Sequence, residues 1–429
     1  MSTSSLLTRL EAAQPVVARR NMYYRGEQPL RFMVDKVDPK VMGFRSNLAK
    51  VAVNAVAERI RLEDVKATIG SRDVSERARK LVQDSDLPMT LQAIFTDMLA
   101  VGSAYLIVWV DSFGRPVVTG ESAEQVAVER DPVTREVVEA VKRWDVVDAN
   151  GVVQEQHVVK YQRHKIVHLK RDETVGRLTF AGSVDNPLGV CPVVPLINIE
   201  RIHDEQGASV IDDLAPLLDA LDKLMLDMLT TSEAVARPKR WATGVDLEDA
   251  DAGFIADEGF TADGAPAVVV EPEAGDARAP FKDSDDMWIT EQAEAKFGQL
   301  AGADLTGYKT AVDLLMQQIM AVTALPAHLV GITTANPSTA EALRASEVAL
   351  ASVARGRVAV VSRPVEWAVR LLVAIDAGVD PSVVDVELQW ADTGTRSVAQ
   401  EADAAVKLAG ENIINNEQAS AMVGAGKDL

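Results

Sequence analysis

The strongest constraint in this 429-residue sequence is a pair of matched apolar seams. Ile211, Leu214, Leu218, Leu221, Met225 and Met228 follow one another in steps of 3, 4, 3, 4 and 3 residues, and Leu305, Tyr308, Val312, Leu315, Ile319 and Val322 repeat those steps. Alternating threes and fours hold every apolar side chain on one stripe of an α-helix. The spacing predicts rods over 209–236 and 304–324, the first ended by Pro238, the second capped by Asp304 and followed by Pro326. Each is roughly 30 to 40 Å long at 1.5 Å per residue, a match that suits an antiparallel hairpin. An ordinary helical pair in a monomer core carries the same spacing.

Between the rods, residues 246–294 hold fifteen Asp or Glu against Arg278 and Lys282, a net −13 out of −20 for the whole chain. Arg237, Lys239 and Arg240 make a small basic step before it. Such a stretch reads either as a solvated acidic loop or as a small domain. Val268–Val270 and Met287–Ile289 look like short strands and favour the domain. The acidic total argues against a protein that grips nucleic acid, because phosphate binding is driven by Lys and Arg. It is compatible with a wall past which DNA slides.

The rest of the chain reads as α+β. Helices are expected at 4–24, kinked or split at Pro15, then from Leu48 to Ile60, at 73–83 and at 90–101. From Ala104 the pattern turns to strands, in AYLIVWVD, VAVERD, EVVEAVKRWDVVD, VVQEQHVVKYQ and KIVHLK, with turns at Asp131-Pro132 and Asn150-Gly151, and the module closes near 186–198. Residues 324–338 form a long apolar connection. Ser338 to Glu341 then supply a capping box for a helix running to about Ala377, with kink points at Gly356 and Pro364. VDVELQW is a strand and 397–409 a helix.

Cys191 is the only cysteine, so internal disulfides and thiolate metal clusters are excluded, as suits a reducing cytoplasm. The N-terminus lacks a signal-peptide core and no run of about 18 apolar residues occurs, so a soluble, unexported protein is expected. There is no phosphate-binding glycine loop, dinucleotide fingerprint or nucleophile elbow; Gly424 and Gly426 lack the flanking strand and Lys-Ser/Thr. His164 and His168 sit four apart on a strand-like stretch, about 13 Å apart on one face, and read as surface residues. His203-Asp204-Glu205 is a triplet without partners. No catalytic residue, cofactor or metal site is assigned.

Tyr23 to Glu27, Asn47 with Ala57 to Arg59, Val101 to Trp109, Asn186 to Gly189, Arg237 to Trp241, Lys296 to Gln299 and Pro337 to Arg344, taken in order around the inserted rod pair, resemble phage portal proteins of the SPP1 type over nearly the full length. The resemblance implies a portal fold with an α/β wing (1–205), a two-helix stem (206–236 and 303–324), a small β-containing clip (237–302) and a tunnel loop (325–338). A long kinked wing helix and strand (339–390) and a short helical crown or C-terminal region (391–429) complete it.

It also implies a homo-oligomeric ring, typically of twelve, at one capsid vertex of the virion, assembled in the host cytoplasm. Double-stranded DNA is packaged and ejected through such a ring, which docks the terminase large subunit and then a neck or adaptor protein, beside major capsid and scaffolding proteins. No membrane is involved. His328, Leu329, Val330, Gly331, Ile332, Thr333, Thr334, Ala335 and Asn336 would face DNA in the channel; having no Lys or Arg, they would touch phosphate weakly and without sequence preference. Arg237, Lys239, Arg240, Asp283, Asp285 and Asp286 would form the outlet or partner surface. Ring assembly would bury faces of the seams against neighbouring subunits, and carboxylates such as Asp212, Asp219 and Asp227 are candidates for the channel wall, with the side each takes left open. The rival readings are a soluble cytoplasmic enzyme with an acidic metal site in 246–294, and a non-viral ring scaffold.

Overall fold

The computed structural model describes residues 3–31, 44–172, 177–202, 204–236, 240–243, 294–299, 306–331, 340–394, 398–411, 413, 415 and 419–420. The chain divides into two compact units, Met1–Leu224 with Ala311–Leu429, and Met225–Thr310.

The first unit starts with α1 (Thr3–Arg25), which continues through Pro15 as one helix rather than two. Its face of Leu6, Leu7 and Leu10 packs on Ala127, Val141 and Val158, which are inward-facing residues of a five-stranded antiparallel meander. That meander is ordered β5-β6-β7-β8-β9. Its strands are β5 (Val126–Arg130), β6 (Val137–Val147), β7 (Val153–Gln162), β8 (Lys165–Asp172) and β9 (Leu178–Asp185). The strand reading of this region holds, and β9 is an addition to it. Ala, Gly, Ser and Asp make up half of its eight residues and dilute the signal of Thr179, Phe180 and Val184.

Helices α2 (Leu48–Ala57), α3 (Ser75–Asp84) and α4 (Leu87–Val101) fall near their expected places. Between α2 and α3 the structure inserts β1 (Leu62–Ile69) and the short β2 (Arg72–Asp73), a sheet the sequence reading left out. Its third strand is β13 (Val384–Trp390), antiparallel to β1 with Leu62 opposite Trp390 and Ile69 opposite Val384. A third sheet has β3 (Ser103–Val110) at its centre, between β10 (Val193–Ile197) and β4 (Pro116–Ser122). Buried from Ser103 to Val108, β3 is the continuous apolar run expected of a central strand.

The helix after Gly331 is α7 (Ala340–Ala377), 38 residues and about 57 Å at 1.5 Å per residue. Leu350, Ala354, Val361, Val365, Ala368 and Leu372 recur every three, four or seven residues and are all fully buried. With that stripe α7 packs on β13, β10, β3 and β4, as well as on α2 and α3. The proposed cap at Ser338 lies outside the described residues. Helix α8 (Val398–Gly410) follows β13.

Two helices pass between the units: α5 (Val210–Ala236), across Leu224, and α6 (Thr306–Thr323), across Thr310. Within the second unit, the hydroxyls of Thr231 on α5 and Tyr308 on α6 lie 3.1 Å apart. There too β11 (Arg240–Thr243) pairs with β12 (Lys296–Gln299) as an antiparallel ribbon. Trp241 stands opposite Gly298, where a Cβ would come within 2.4 Å of the indole. The expected strands at 268–270 and 287–289 lie outside the described residues. Among the described residues, no helix is long and apolar enough to cross a membrane.

The backbone is tightest where α4 gives way to β3. Gly102 has φ +103° and Gly207 φ +85°; a Cβ on Gly102 would sit 2.8 Å from the Gly207 carbonyl oxygen, and one on Gly207 only 1.9 Å from the Gly102 oxygen. Gly114, also left-handed at φ +77°, has open space around it. Gly207→Ala or Gly102→Ala is expected to cost about 2 to 4 kcal/mol, backbone strain plus backbone clash, and Gly114→Ala about 1 kcal/mol. Denaturant midpoints of the three purified variants check the ranking.

Candidate channel segment and the anchorage of α5

Helix α5 begins at the glycine crossing. The amide of Asn198 donates to the Gly102 carbonyl at 2.8 Å, and its side-chain amide donates to the Ala208 carbonyl at 2.6 Å. Ser209 then caps the helix: its hydroxyl donates to the Ala100 carbonyl at 2.5 Å and accepts from the Ile211 amide at 3.0 Å. The start of α5 is thereby tied to the end of α4.

Three carboxylates along α5 extend the tie. Arg20 of α1 reaches both oxygens of Asp212, at 3.2 and 2.5 Å, and also the Val101 carbonyl. Tyr23 donates its hydroxyl to Asp219 at 2.6 Å, and Arg31 lies 3.4 Å from the other Asp219 oxygen. Asp222 accepts from the Gln28 side chain at 2.9 Å and from the Ser46 amide and hydroxyl at 2.8 and 2.6 Å. Asp219 is 6% exposed and Asp222 2%. Burial, then the bond to the Asp219 carboxylate and its charge, push the Tyr23 phenol up to about 12.

These contacts correct two expectations. Asp212 and Asp219, offered as candidates for the channel wall, are bound by the chain's own first helix, because α1 presents Arg20 and Tyr23 to them. Ile211, Leu214, Leu218 and Leu221, assigned to a seam between subunits, are already 0 to 4% exposed within one chain. On α6 the stripe is less covered: Ile319 is fully buried, Tyr308, Val312 and Leu315 are half-buried, and Val322 is exposed. Asp227 is half-buried and Leu305 lies outside the described residues.

The expected channel segment leaves α6 at Ala324, a non-glycine residue with φ +56°. Ala327–Val330 form a single 3-10 turn ended by Gly331 at φ +76°. His328 Nε2 lies 3.1 Å from one oxygen of Glu347 on α7, and Arg59 lies 3.4 Å from the other. Arg59 also donates to the Ala55 carbonyl of α2 at 2.7 Å. Glu347 thus connects the turn to both α2 and α7. His328 and Leu329 are about one third exposed. Ile332, Thr333, Thr334, Ala335 and Asn336 lie outside the described residues, as do Arg237, Lys239, Asp283, Asp285 and Asp286; Arg240 opens β11.

The histidines rearrange as well. His164 sits in the bend between β7 and β8, off the strand, so the expected one-face spacing with His168 does not arise. His168 instead meets His157 of β7, Nε2 to Nδ1 at 3.0 Å, and both rings stack near Trp144 of β6, with centroids 5.1 and 5.9 Å from the indole. Glu155 holds the other nitrogen of His157 at 3.2 Å and Lys170 at 2.5 Å. Burial first, then the charges of His157 and Lys170, lower the His168 pKa from its ordinary 6.5. Asp204 accepts from the Glu200 and Arg201 amides in a turn, and Glu205 pairs with Arg135 at 3.3 Å, so that triplet is structural in its two described members. Among the described residues no group of three or more His, Cys, Asp or Glu is placed to hold a metal.

The phage portal protein family described as SPP1 Gp6-like matches residues 12–424. The chain belongs to that family. The portal protein of Mycobacterium phage D29 is 25% identical over 456 residues, covering 97% of this chain and 87% of that protein; the portal protein of Mycobacterium phage L5 is 25% identical, with 96% and 83% covered. Among solved structures, a chain from the neck of an empty GTA particle computed with C6 symmetry is 14% identical, covers 95% of this chain and 93% of that one, and has a TM-score of 0.50. One from the neck of a native GTA particle computed with C12 symmetry is likewise 14% identical at TM-score 0.50, with 96% and 93% covered. These chains share the mixed helix and sheet fold. As a portal protein, the chain serves the head-tail connection of a phage in genome packaging.

Asp222 is the anchor with the most donors and least exposure. Asp222→Ala strands the Gln28 side-chain amide and the Ser46 amide in the core and is expected to cost about 3 kcal/mol, read from the denaturant midpoint. His168 gives a pH signature. Its folded pKa is depressed, so the folded sheet binds fewer protons than the unfolded chain below pH 6.5, and stability falls as pH drops through that value. Thermal unfolding between pH 7.5 and 5.5 should show the loss, and His168→Gln should flatten it.

Proposed function

We propose that copies of this chain close into a ring at one capsid vertex of the virion, typically twelve, and that double-stranded DNA passes through the centre during packaging and ejection. The observation that carries the reading is the family match over residues 12–424, which takes in the wing-like sheets, both stem helices and everything between them. The cyclic symmetry named for the two neck particles supports it. In this reading the first unit supplies the wing, α5 and α6 the stem, 237–302 the clip, and 325–338 the loop toward DNA. The terminase large subunit docks on the clip during packaging and a neck or adaptor protein afterwards, with major capsid and scaffolding proteins around the wing, in the host cytoplasm.

The chemistry asked of the loop is small. With His328, Thr333, Thr334 and Asn336 and no Lys or Arg, it offers hydrogen bonds and no fixed cationic charge, so contacts form and break without counterion release. A net charge of −20 keeps phosphate off the remaining surface. The work is mechanical passage, and no catalytic group is called for.

Mass photometry with negative-stain imaging tests the ring: twelve copies of 46.2 kDa give about 550 kDa and a central hole. A chain that stays monomeric in every salt and scaffold condition overturns the reading. Replacing Thr333, Thr334 and Asn336 together should shorten the packaged DNA or let it leak; full length and full retention would sink the loop assignment.

A further inference from the structure

The five-stranded meander has two unlike ends. At one, α1 packs against β5, and Arg9 donates to the Val128 carbonyl while Gln14 donates to the Glu124 carbonyl just before the strand, at 2.8 Å. At the other, β9 pairs only with β8 among the described residues. Seven of its eight residues are uncharged and none is proline, so it lacks the lysines and prolines that usually guard a free edge; the register step beside Ala181 and the terminal Asp185 are the protection it carries. Phe180 is 67% exposed and Val184 60%.

The register shows which backbone groups are free. Asn186 donates to the His164 carbonyl at 2.9 Å, so that pair is hydrogen-bonded. Antiparallel pairs alternate, so Val184 opposite Ile166 and Gly182 opposite His168 also bond toward β8. Ser183 and Asp185 therefore point their amides and carbonyls outward, beside the exposed Val184 side chain.

We propose that the outer edge of β9 takes an extended segment of a neighbouring copy of this chain, continuing the sheet from subunit to subunit. The proposal rests on the ring reading. A cyclic ring joins unlike surfaces head to tail, and a sheet blocked at one end and open at the other has that polarity. Strand addition also fits the edge chemistry: backbone bonds supply the pairing, and the flanking Phe180 and Val184 supply apolar area.

Ser183→Pro tests it, because proline removes an outward amide and leaves the bonds to β8 intact, as edge positions tolerate. The expected result is a chain with wild-type circular dichroism and melting temperature whose ring yield falls at least tenfold, while Ser183→Ala assembles normally. Wild-type ring yield from Ser183→Pro overturns the edge proposal and leaves the ring reading standing; a wild-type chain that never forms rings overturns both. Should the proline variant misfold, hydrogen exchange on the wild-type chain decides. Peptides spanning 178–186 must gain protection on going from monomer to ring, and unchanged exchange rules the edge out.

Discussion

Asp219 and Asp222 are carboxylates taken out of water, a burial that costs several kcal/mol per ion unless hydrogen bonds replace hydration. The replacements come from Tyr23, Gln28 and Ser46, nearly two hundred residues earlier in the chain. That requirement sets the arrangement of the first unit. Helix α1 must end where its phenol meets α5, and the segment after it must bring Gln28 and Ser46 to the same face. The glycine crossing at Gly102 and Gly207 fixes the start of α5, and the carboxylates fix its rotation about its own axis. An apolar seam alone allows a helix to roll, since leucines accept many neighbours, whereas a buried carboxylate accepts only donors.

The charge distribution follows a related logic. Most of the net negative charge falls between α5 and α6, while Asp212, Asp219 and Asp222 of α5 are hydrogen-bonded or paired. The carboxylates held by α1 and the segment after it thus position a helix, while the stretch 246–294 holds a net −13 of the chain's −20.

What the sequence made legible was what it writes locally. The seams of α5 and α6, the apolar run of β3 and the long α7 are periodic over many residues and came out within a few residues of their ends. Strand β1 was missed because Glu63, Asp64 and Lys66 interrupt it, only Val65 and Ala67 turn fully inward, and its partner lies more than three hundred residues away. The side of α5 that its acids face stayed open for the same reason. The seam identifies an apolar stripe but not what covers it, and the donors to Asp219 sit on a distant helix. Standing next to a buried leucine gives no signal of a buried carboxylate on a helix, as Asp213 beside the fully buried Leu214 is exposed. The pairing of His157 with His168 needed the register of two strands, which spacing within one strand does not contain.

The pairing of β1 with β13 has a consequence for synthesis. The sheet cannot close until residue 390 has left the ribosome, more than three hundred residues after β1. Until then Val65 and Ala67 lack their cover and α7 lacks the strand it packs on, so the first unit stays unfinished however early its amino-terminal helices form. A nascent or truncated chain therefore cannot present a finished first unit, and in the proposed ring the timing of translation itself would keep incomplete chains out of the assembly.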